Sequence, residues 1–252
     1  MSEFYIGYLP KAPVGIGRHM RRTGLVLGAV AVAAAAVFAG VQRTFLPASF
    51  EFGSQRTFTG VIEARPYPSL LVTRPGARES EAGTSRYLLV GKGKHGYTQE
   101  AMGWQGKLVR LQGTLIYRDG ETMLEVASGP AALPPGTEPR LPGSEDLGEF
   151  ALTGEIVDGK CNLGVMNPGA GKVHLDCAVR CLAGGVPAGF ATDEFRGRPG
   201  LLWLTGPGGT AFETRRYASV VARPVRIRGR VKRSGDTLFL EVPPEGAPQP
   251  LD

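Results

Sequence analysis

Catalytic motifs are missing from this chain of 252 residues. Its three cysteines form no C-x-x-C pair, which argues against a thioredoxin-like redox centre. No serine stands in a nucleophile-elbow pattern, so a hydrolase triad has no sequence support. Charged residues make up only 21% of the chain, and the paired carboxylates fall in polar, turn-like stretches. We therefore predict no catalytic residues and expect a protein that is not an enzyme.

Most of the chain also lacks an excess of basic residues. Half of the net charge of +6 lies before residue 23, where the basic residues are opposed by Glu3 alone. These basic residues are Lys11, Arg18, Arg21 and Arg22. A broad basic surface is therefore not indicated, and we expect no nucleic-acid partner.

One long apolar run stands near the N-terminus. Residues 23–41 are uncharged and mostly Ala, Val, Leu and Gly. At about 1.5 Å per residue, a helix of this length nearly crosses a hydrocarbon core of about 30 Å. Basic residues stand before the run and only Arg43 follows closely, so the positive-inside rule places the N-terminus in the cytoplasm. We predict a cytoplasmic segment at 1–22, a transmembrane helix at 23–42 and a periplasmic remainder, at a bacterial inner membrane.

Other interpretations of the apolar run stay open. Val37-Phe38-Ala39 resembles the cleavage site of a signal peptide. Arg21-Arg22 would suit a twin-arginine signal, although the residues that follow fit that pattern poorly. A buried helix of a soluble protein is a further alternative. The long leading segment contains Phe4, Tyr5 and Tyr8, unlike a simple charged signal region, and this favours a retained anchor.

The rest of the chain repeats itself on either side of a stretch rich in Pro and Gly. Residues 109–126, VRLQGTLIYRDGETMLEV, match residues 225–242, VRIRGRVKRSGDTLFLEV, and each reads as two alternating strands joined by a turn. Each half also has earlier strand candidates and one short helix candidate, near 98–103 and 212–219. Three strands, a helix and two strands is the element order of the OB-fold, a small five-stranded barrel.

This order predicts a mainly β protein, with one N-terminal transmembrane helix followed by two small OB-like β-barrels. We expect the first barrel at 50–128, a linker at 129–148 and the second barrel at 149–243. The Pro-rich tail at 244–252 is predicted to be disordered. A single larger β-sandwich is the alternative.

The second half is longer than the first, and the extra residues contain all the cysteines. This insertion, 160–187, is not needed to close a barrel, so we place the functional site there. Its candidate residues are Cys161, Met166, His174, Cys177 and Cys181. Residues 173–183 contain no helix breaker, and on a helix the histidine and the last two cysteines lie at i, i+3 and i+7 along one stripe.

Three hypotheses account for these residues. An oxidising compartment favours a disulfide, although Cys177 and Cys181 on one helix are poorly placed to bond each other. Cys161 would then pair with one of them and leave an odd thiol. A metal site is the second hypothesis, with a Cys₃His set suited to zinc or, with Met166, to Cu(I). Thiol redox chemistry is the third.

Gly91–Gly96 satisfies the pattern G-x-G-x-x-G but lies where the repeat places a barrel loop. A dinucleotide site would also need a βαβ unit, so we interpret this segment as a turn. Lys92, Lys94 and His95 would form an anion-binding rim on the loop.

An anchor followed by an OB barrel resembles the layout of the periplasmic haem chaperones of cytochrome c maturation. Their haem-attachment motif has no counterpart here, so the resemblance is one of layout alone. It implies a membrane-anchored accessory or assembly subunit of a membrane-bound redox complex, acting as a non-catalytic binding module with other membrane proteins as partners. The alternative function is a periplasmic Zn- or Cu-binding or thiol-redox protein that uses the Cys/His insertion. The sequence names no cofactor beyond these two metals.

Overall fold

The computed structural model of the protein describes residues 12–41, 48–74, 83–134, 139, 143–197 and 200–251. The chain divides into two compact units, Met1–Phe45 and Leu46–Asp252. The first half of the predicted cytoplasmic segment, residues 1–11, lies outside the described residues. So does the centre of the predicted linker, at 135–138 and 140–142.

The first unit contains helix α1, Val14–Val41, which has no buried residue. Pro13 precedes the first helical residue, and its carbonyl accepts the first helical hydrogen bond, from the Gly17 amide. By length and composition α1 is able to cross a membrane, and a signal sequence near an N-terminus would meet the same criteria. The helix begins nine residues before the predicted span, so the three arginines that precede that span are themselves helical.

The second unit begins with a closed five-stranded barrel. Its elements are β1 Ala48–Phe50, β2 Arg56–Glu63, β3 Ser69–Arg74, β4 Gly83–Val90, helix α2 Thr98–Met102, β5 Leu108–Arg118 and β6 Glu121–Ala132. Strand β2 pairs with β3, β3 with β4, β4 with β6, β6 with β5, and β5 again with β2, while β1 adds to β5. The β4–β6 pairing is parallel, and the other pairings of this barrel are antiparallel.

A second closed barrel repeats this topology. Its elements are β7 Glu145–Asp158, helix α3 Leu175–Ala183, β8 Ala188–Thr192, β9 Gly200–Gly206, β10 Thr210–Ala211, β11 Pro224–Ser234, β12 Thr237–Glu241 and β13 Gln249–Pro250. Strand β7 pairs with β8, β8 with β9, β9 in parallel with β12, β12 with β11, and β11 again with β7. In each barrel one parallel pair of strands closes an otherwise antiparallel sheet of five strands, which is the arrangement of the OB-fold. The predicted fold class, an N-terminal apolar helix and two OB-like barrels, is confirmed, and the chain does not form a single sandwich.

The strands extend further than the sequence suggested. Strand β6 continues to Ala132 and β7 begins at Glu145, so both run into the predicted linker. Cross-strand ion pairs from Arg230 and Arg233 of β11 hold the start of β7 in its ladder. The tail predicted to be disordered also contains strand β13, which pairs with β11 as far as residue 250.

Two glycines at matching positions of the repeat allow the barrels to close. A Cβ on Gly60 would overlap the carbonyl of Leu71, and a Cβ on Gly154 would overlap the carbonyl of Ala191. In each barrel the glycine lies on the first barrel strand where the second strand crosses it. The sequence Thr-Gly, which stands at 59–60 and again at 153–154, therefore reflects close backbone contact.

We expect Gly154→Ala to lower the free energy of unfolding by about 2–3 kcal/mol, because the added methyl group has no space beside a backbone carbonyl. Gly129→Ala is the control, since a Cβ there meets nothing within 4 Å. Chemical denaturation of the full chain in detergent measures both variants. Equal stability of the two variants would contradict the close contact.

Each barrel has a hydrophobic core of its own, and a third hydrophobic cluster contains residues of both barrels. Trp203 of β9 is fully buried and packs in a cluster with Met123 and Leu88 of the first barrel. Its indole Nε1 donates to the Glu121 carboxylate at 2.8 Å, and the Tyr67 hydroxyl donates to the Leu204 carbonyl at 2.5 Å. These contacts join the barrels into one body, so side chains from both are available to build a site.

Glu121, which is bonded to Trp203 of this third cluster, makes the stability of the protein depend on pH. Burial raises its pKa from 4.5 to about 7, against the lowering effect of the hydrogen bond from Trp203. Between pH 4.5 and about 7 the Glu121 carboxyl keeps its proton in the folded chain but has lost it in the unfolded chain. The free energy of unfolding therefore falls as the pH rises through this window. We expect Glu121→Gln, which keeps an acceptor for the indole, to stabilise the protein by about 2 kcal/mol at pH 8 and by almost nothing at pH 4.5. Denaturation midpoints at the two pH values test this, and an equal effect at both would contradict it.

Candidate functional site

The predicted insertion forms a compact loop and helix between β7 and β8. A π-helical turn, Cys161–Val165, follows the end of β7, and a 3₁₀ turn, Lys172–His174, leads into α3. The sequence predicted one helix from residue 173, whereas the first residues form the tighter turn. Gly184 and Gly185 end α3, as expected.

Asp158, the last residue of β7, fixes the position of Cys161. Its Oδ1 accepts a hydrogen bond from the Cys161 amide at 2.8 Å. The chain then folds back, and Gly169 lies so close to the Cys161 carbonyl that a Cβ would overlap it. Cys161 is therefore held from both sides and is only 3% exposed.

The three cysteines meet at one point. Their sulfur atoms all lie within 4.8 Å of one another, and the Sγ atoms of Cys161 and Cys177 are 4.0 Å apart. Cys181 lies one turn beyond Cys177 on α3 and is buried, whereas Cys177 is partly exposed. All three are unpaired, since 4.0 Å is about twice the length of a disulfide bond. We call these three residues the thiol cluster.

Lys94 of the first barrel supplies a positive charge to the thiol cluster. Its Nζ lies 2.6 Å from the Cys177 sulfur and 3.7 Å from the Cys181 sulfur. The hydrogen bond to Cys177 raises the pKa of Lys94. Lys94 belongs to the Gly91–Gly96 loop, which connects β4 to α2 and is a barrel loop, as the repeat predicted. Through Lys94 this loop also contacts the insertion of the second barrel.

Hydrogen bonding inside the thiol cluster shifts the pKa values of two thiols in opposite directions. The pKa of Cys181 is lowered to about 7, chiefly by a hydrogen bond from Cys161 and further by the charge of Lys94, against the effect of burial. The same hydrogen bond and burial raise the pKa of Cys161. Cys181 is therefore the more acidic of these two thiols, and Cys161 is the one that keeps its proton to higher pH.

A buried acid–histidine pair adjoins the cluster. The Nε2 of His174 lies 2.8 Å from the Asp158 Oδ2, and both side chains are buried. Ligand atoms of this pair and the Cys161 sulfur lie within 4.8 Å of one another. Cys161 therefore belongs to two adjacent groups of potential metal ligands.

The Gly91–Gly96 loop is fixed by a second lysine. The buried Nζ of Lys160 donates to the carbonyls of Gly91 and Gly93, at 2.9 and 2.7 Å, and forms an ion pair with Glu125 of β6. The Gly96 amide also donates to the Gly184 carbonyl at the end of α3. These contacts hold the loop backbone against the insertion.

The structure brings together most of the residues proposed from the sequence. The three cysteines meet directly, and His174 lies beside Cys161. Met166 is 47% exposed, and Lys92 and His95 are exposed on the loop surface. The anion-binding rim predicted for Lys92, Lys94 and His95 stays a prediction, although the Lys94 ammonium is directed to sulfur.

Sequence reasoning missed two residues of the site. Asp158 stands three residues before Cys161, a spacing typical of a side chain that caps the next turn, and this signal was available. Lys160 stands next to Cys161 in the sequence, but its partners belong to the other barrel and no local pattern predicts them.

Comparisons with known proteins add little. No protein-family model matches the chain, and no curated protein matches it. The crystal structure of a deletion mutant of the single-stranded DNA-binding protein from Thermus aquaticus is similar over 79% of this chain and 94% of that chain, at 18% identity and a TM-score of 0.22. We base no conclusion on a likeness at that TM-score, and the OB topology rests on the strand pairings alone.

Proposed function

We propose that this protein is a membrane-anchored metal-binding protein whose thiol cluster binds a thiophilic ion, Cu(I) in the first place. The observation that carries the proposal is the triangle of three cysteine sulfurs within 4.8 Å of one another. Soft thiolate ligands select Cu(I) and zinc among biological metals.

The spacing of the sulfurs supports a metal over a disulfide. An ion bonded to three sulfurs at about 2.3 Å in one plane separates them by about 4 Å. The distance between Cys161 Sγ and Cys177 Sγ is 4.0 Å. A disulfide would require the two atoms to approach to about 2.05 Å, with movement of two side chains that are held by a strand end and a helix.

Cu(I) is favoured because the cluster offers three sulfurs, a number that suits this ion. The His174 ring is hydrogen-bonded to Asp158, so it is not free to turn without losing a buried partner. Zinc is the second candidate, because a ring nitrogen of His174 lies near Cys161 and would supply a fourth ligand. An aspartate bonded to a ligand histidine is the usual support of zinc sites.

X-ray absorption by the reduced full chain in detergent, loaded with one equivalent of Cu(I), tests the proposal. We expect three sulfur neighbours at about 2.3 Å. A first coordination sphere of nitrogen and oxygen alone would contradict it. Three sulfurs with one nitrogen around added zinc, and no Cu(I) binding, would favour the second candidate.

We propose further that α1 is a retained anchor and that residues 46–252 lie on the periplasmic face of a bacterial inner membrane. Support comes from the apolar length of α1 and from its arginines near the N-terminal end, which the positive-inside rule places in the cytoplasm. A protease added to intact spheroplasts should then degrade the barrels. Protection of the barrels would contradict this orientation.

In that setting the protein would serve a membrane-bound redox complex as an accessory or assembly subunit, a layout that resembles the periplasmic haem chaperones. Support comes from an anchor and a proposed Cu(I) site in one chain, since copper is a redox cofactor of such complexes. Native electrophoresis of gently solubilised membranes should show the protein migrating with a larger complex. Migration only as the free protein would contradict the accessory role.

A further inference from the structure

The partly exposed cysteine of the thiol cluster is in contact with a charged group of the other barrel. Cys161 and Cys181 are buried, and Cys177 is the partly exposed member through which an ion would enter. The Lys94 ammonium lies 2.6 Å from that sulfur. An entering cation and this ammonium would therefore compete for the same sulfur atom.

The backbone that carries Lys94 is immobilised. Lys160 holds the carbonyls on either side of Lys92, and the Gly96 amide is bonded to the end of α3. The Lys94 carbonyl itself lies so close to Gly184 that a Cβ there would overlap it. Movement of Lys94 is thus limited to its long, flexible side chain, which otherwise lies at the surface.

We infer that Lys94 is a displaceable cationic cap of the thiol cluster, paired with Cys177 in the metal-free protein and released into solvent when a thiophilic cation binds. This inference rests on the proposed function. Two positive charges a few ångströms apart repel, and a metal–sulfur bond draws electron density from the sulfur, which weakens it as an acceptor of the ammonium hydrogen bond. The ammonium keeps its proton and exchanges sulfur for water, while the thiols that become ligands release their protons to solvent, so no oxidant or reductant is needed.

The cap has a functional consequence. Without a metal, an ammonium occupies the approach to Cys177. An ion must therefore displace it, which slows weakly thiophilic cations more than Cu(I). Lys94 would then be a residue that sets the selectivity of the site.

Pulsed acylation of lysine amines in the reduced full chain, in detergent with and without one equivalent of Cu(I), tests the cap. An amine that is held in a hydrogen bond to sulfur reacts slowly, and we expect Lys94 to react about tenfold more slowly than Lys92 without metal. With Cu(I) the two rates should agree within about twofold. Lys92 stands two residues away on the same loop and is an internal control.

Native mass spectrometry of the same samples tests the metal site separately from the Lys94 cap. Bound Cu(I) with an unchanged Lys94 rate would overturn the cap and leave the metal site standing. A chain that binds no ion would overturn both. As a second measurement, Lys94→Met should accelerate Cu(I) binding in stopped-flow experiments, whereas Lys92→Met should leave it unchanged. Equal rates in the two variants would overturn the cap as well.

Discussion

Replacing Cys177 by serine is expected to weaken Cu(I) binding by more than about 100-fold, because even loss of a hydrogen-bond partner of a metal ligand costs roughly 10–100-fold. Cys177 is the most informative of the three cysteines, since it is partly exposed and contributes least to the core. Competition with a chromogenic Cu(I) chelator measures the affinity of the full chain in detergent.

Met166→Leu is the matched control for this substitution. Its side chain is 47% exposed, so we expect no more than a twofold change in affinity, on the order of 0.4 kcal/mol. Circular dichroism should show intact barrels in both variants. If Cys177→Ser binds Cu(I) as tightly as the parent, the thiol cluster is not the site. A large loss in Met166→Leu would instead make the thioether a ligand, as one of the sequence hypotheses held.

Glu125→Gln is expected to lower the free energy of unfolding by about 3 kcal/mol, because it leaves the ammonium of Lys160 buried without its countercharge. The Lys160 side chain is 2% exposed, whereas that of Glu125 is 18% exposed. The loop carbonyls of Gly91 and Gly93 still accept hydrogen bonds from Lys160 but carry no charge. Denaturant titration of the full chain measures the loss.

Two further variants make this prediction specific. Glu149→Gln removes a carboxylate of an exposed ion pair and should change stability by less than about 1 kcal/mol. The double variant Lys160→Met with Glu125→Gln removes both buried charges, so it should be more stable than Glu125→Gln alone. A double variant that is less stable than the single one would show that the loop hydrogen bonds matter more than the ion pair.

The barrels were predictable because their signal is local and repeated. The two copies of the V-x-[LI]-x-G hairpin alternate apolar and polar residues, and the same alternation appears as buried and exposed positions in β5 and β11. The length difference between the copies also located the insertion. The ends of the ladders were not predictable, because β7 is extended by ion pairs with a strand some eighty residues later.

The site was predictable only in part, for a related physical reason. Helical spacing placed Cys177 and Cys181 on one stripe, and the turn after β7 brought Cys161 to it. The positive charge at the cluster comes from Lys94 of the other barrel, which a glycine pattern marked only as a turn. Contacts between the two barrels produce no periodic pattern in the sequence. The contacts of Lys94, Lys160 and Trp203 with the other barrel could therefore be found only in the structure.

Native mass spectrometry of the full chain in detergent, with thiol counting on the same sample, tests the central claim most directly. A bound thiophilic ion predicts a mass increased by one metal, and denaturation that releases the metal together with three titratable thiols. A mass lower by two hydrogens with one remaining thiol would show a disulfide in place of a metal site. That result would contradict the account of the thiol cluster, even though the fold of the two barrels would stand.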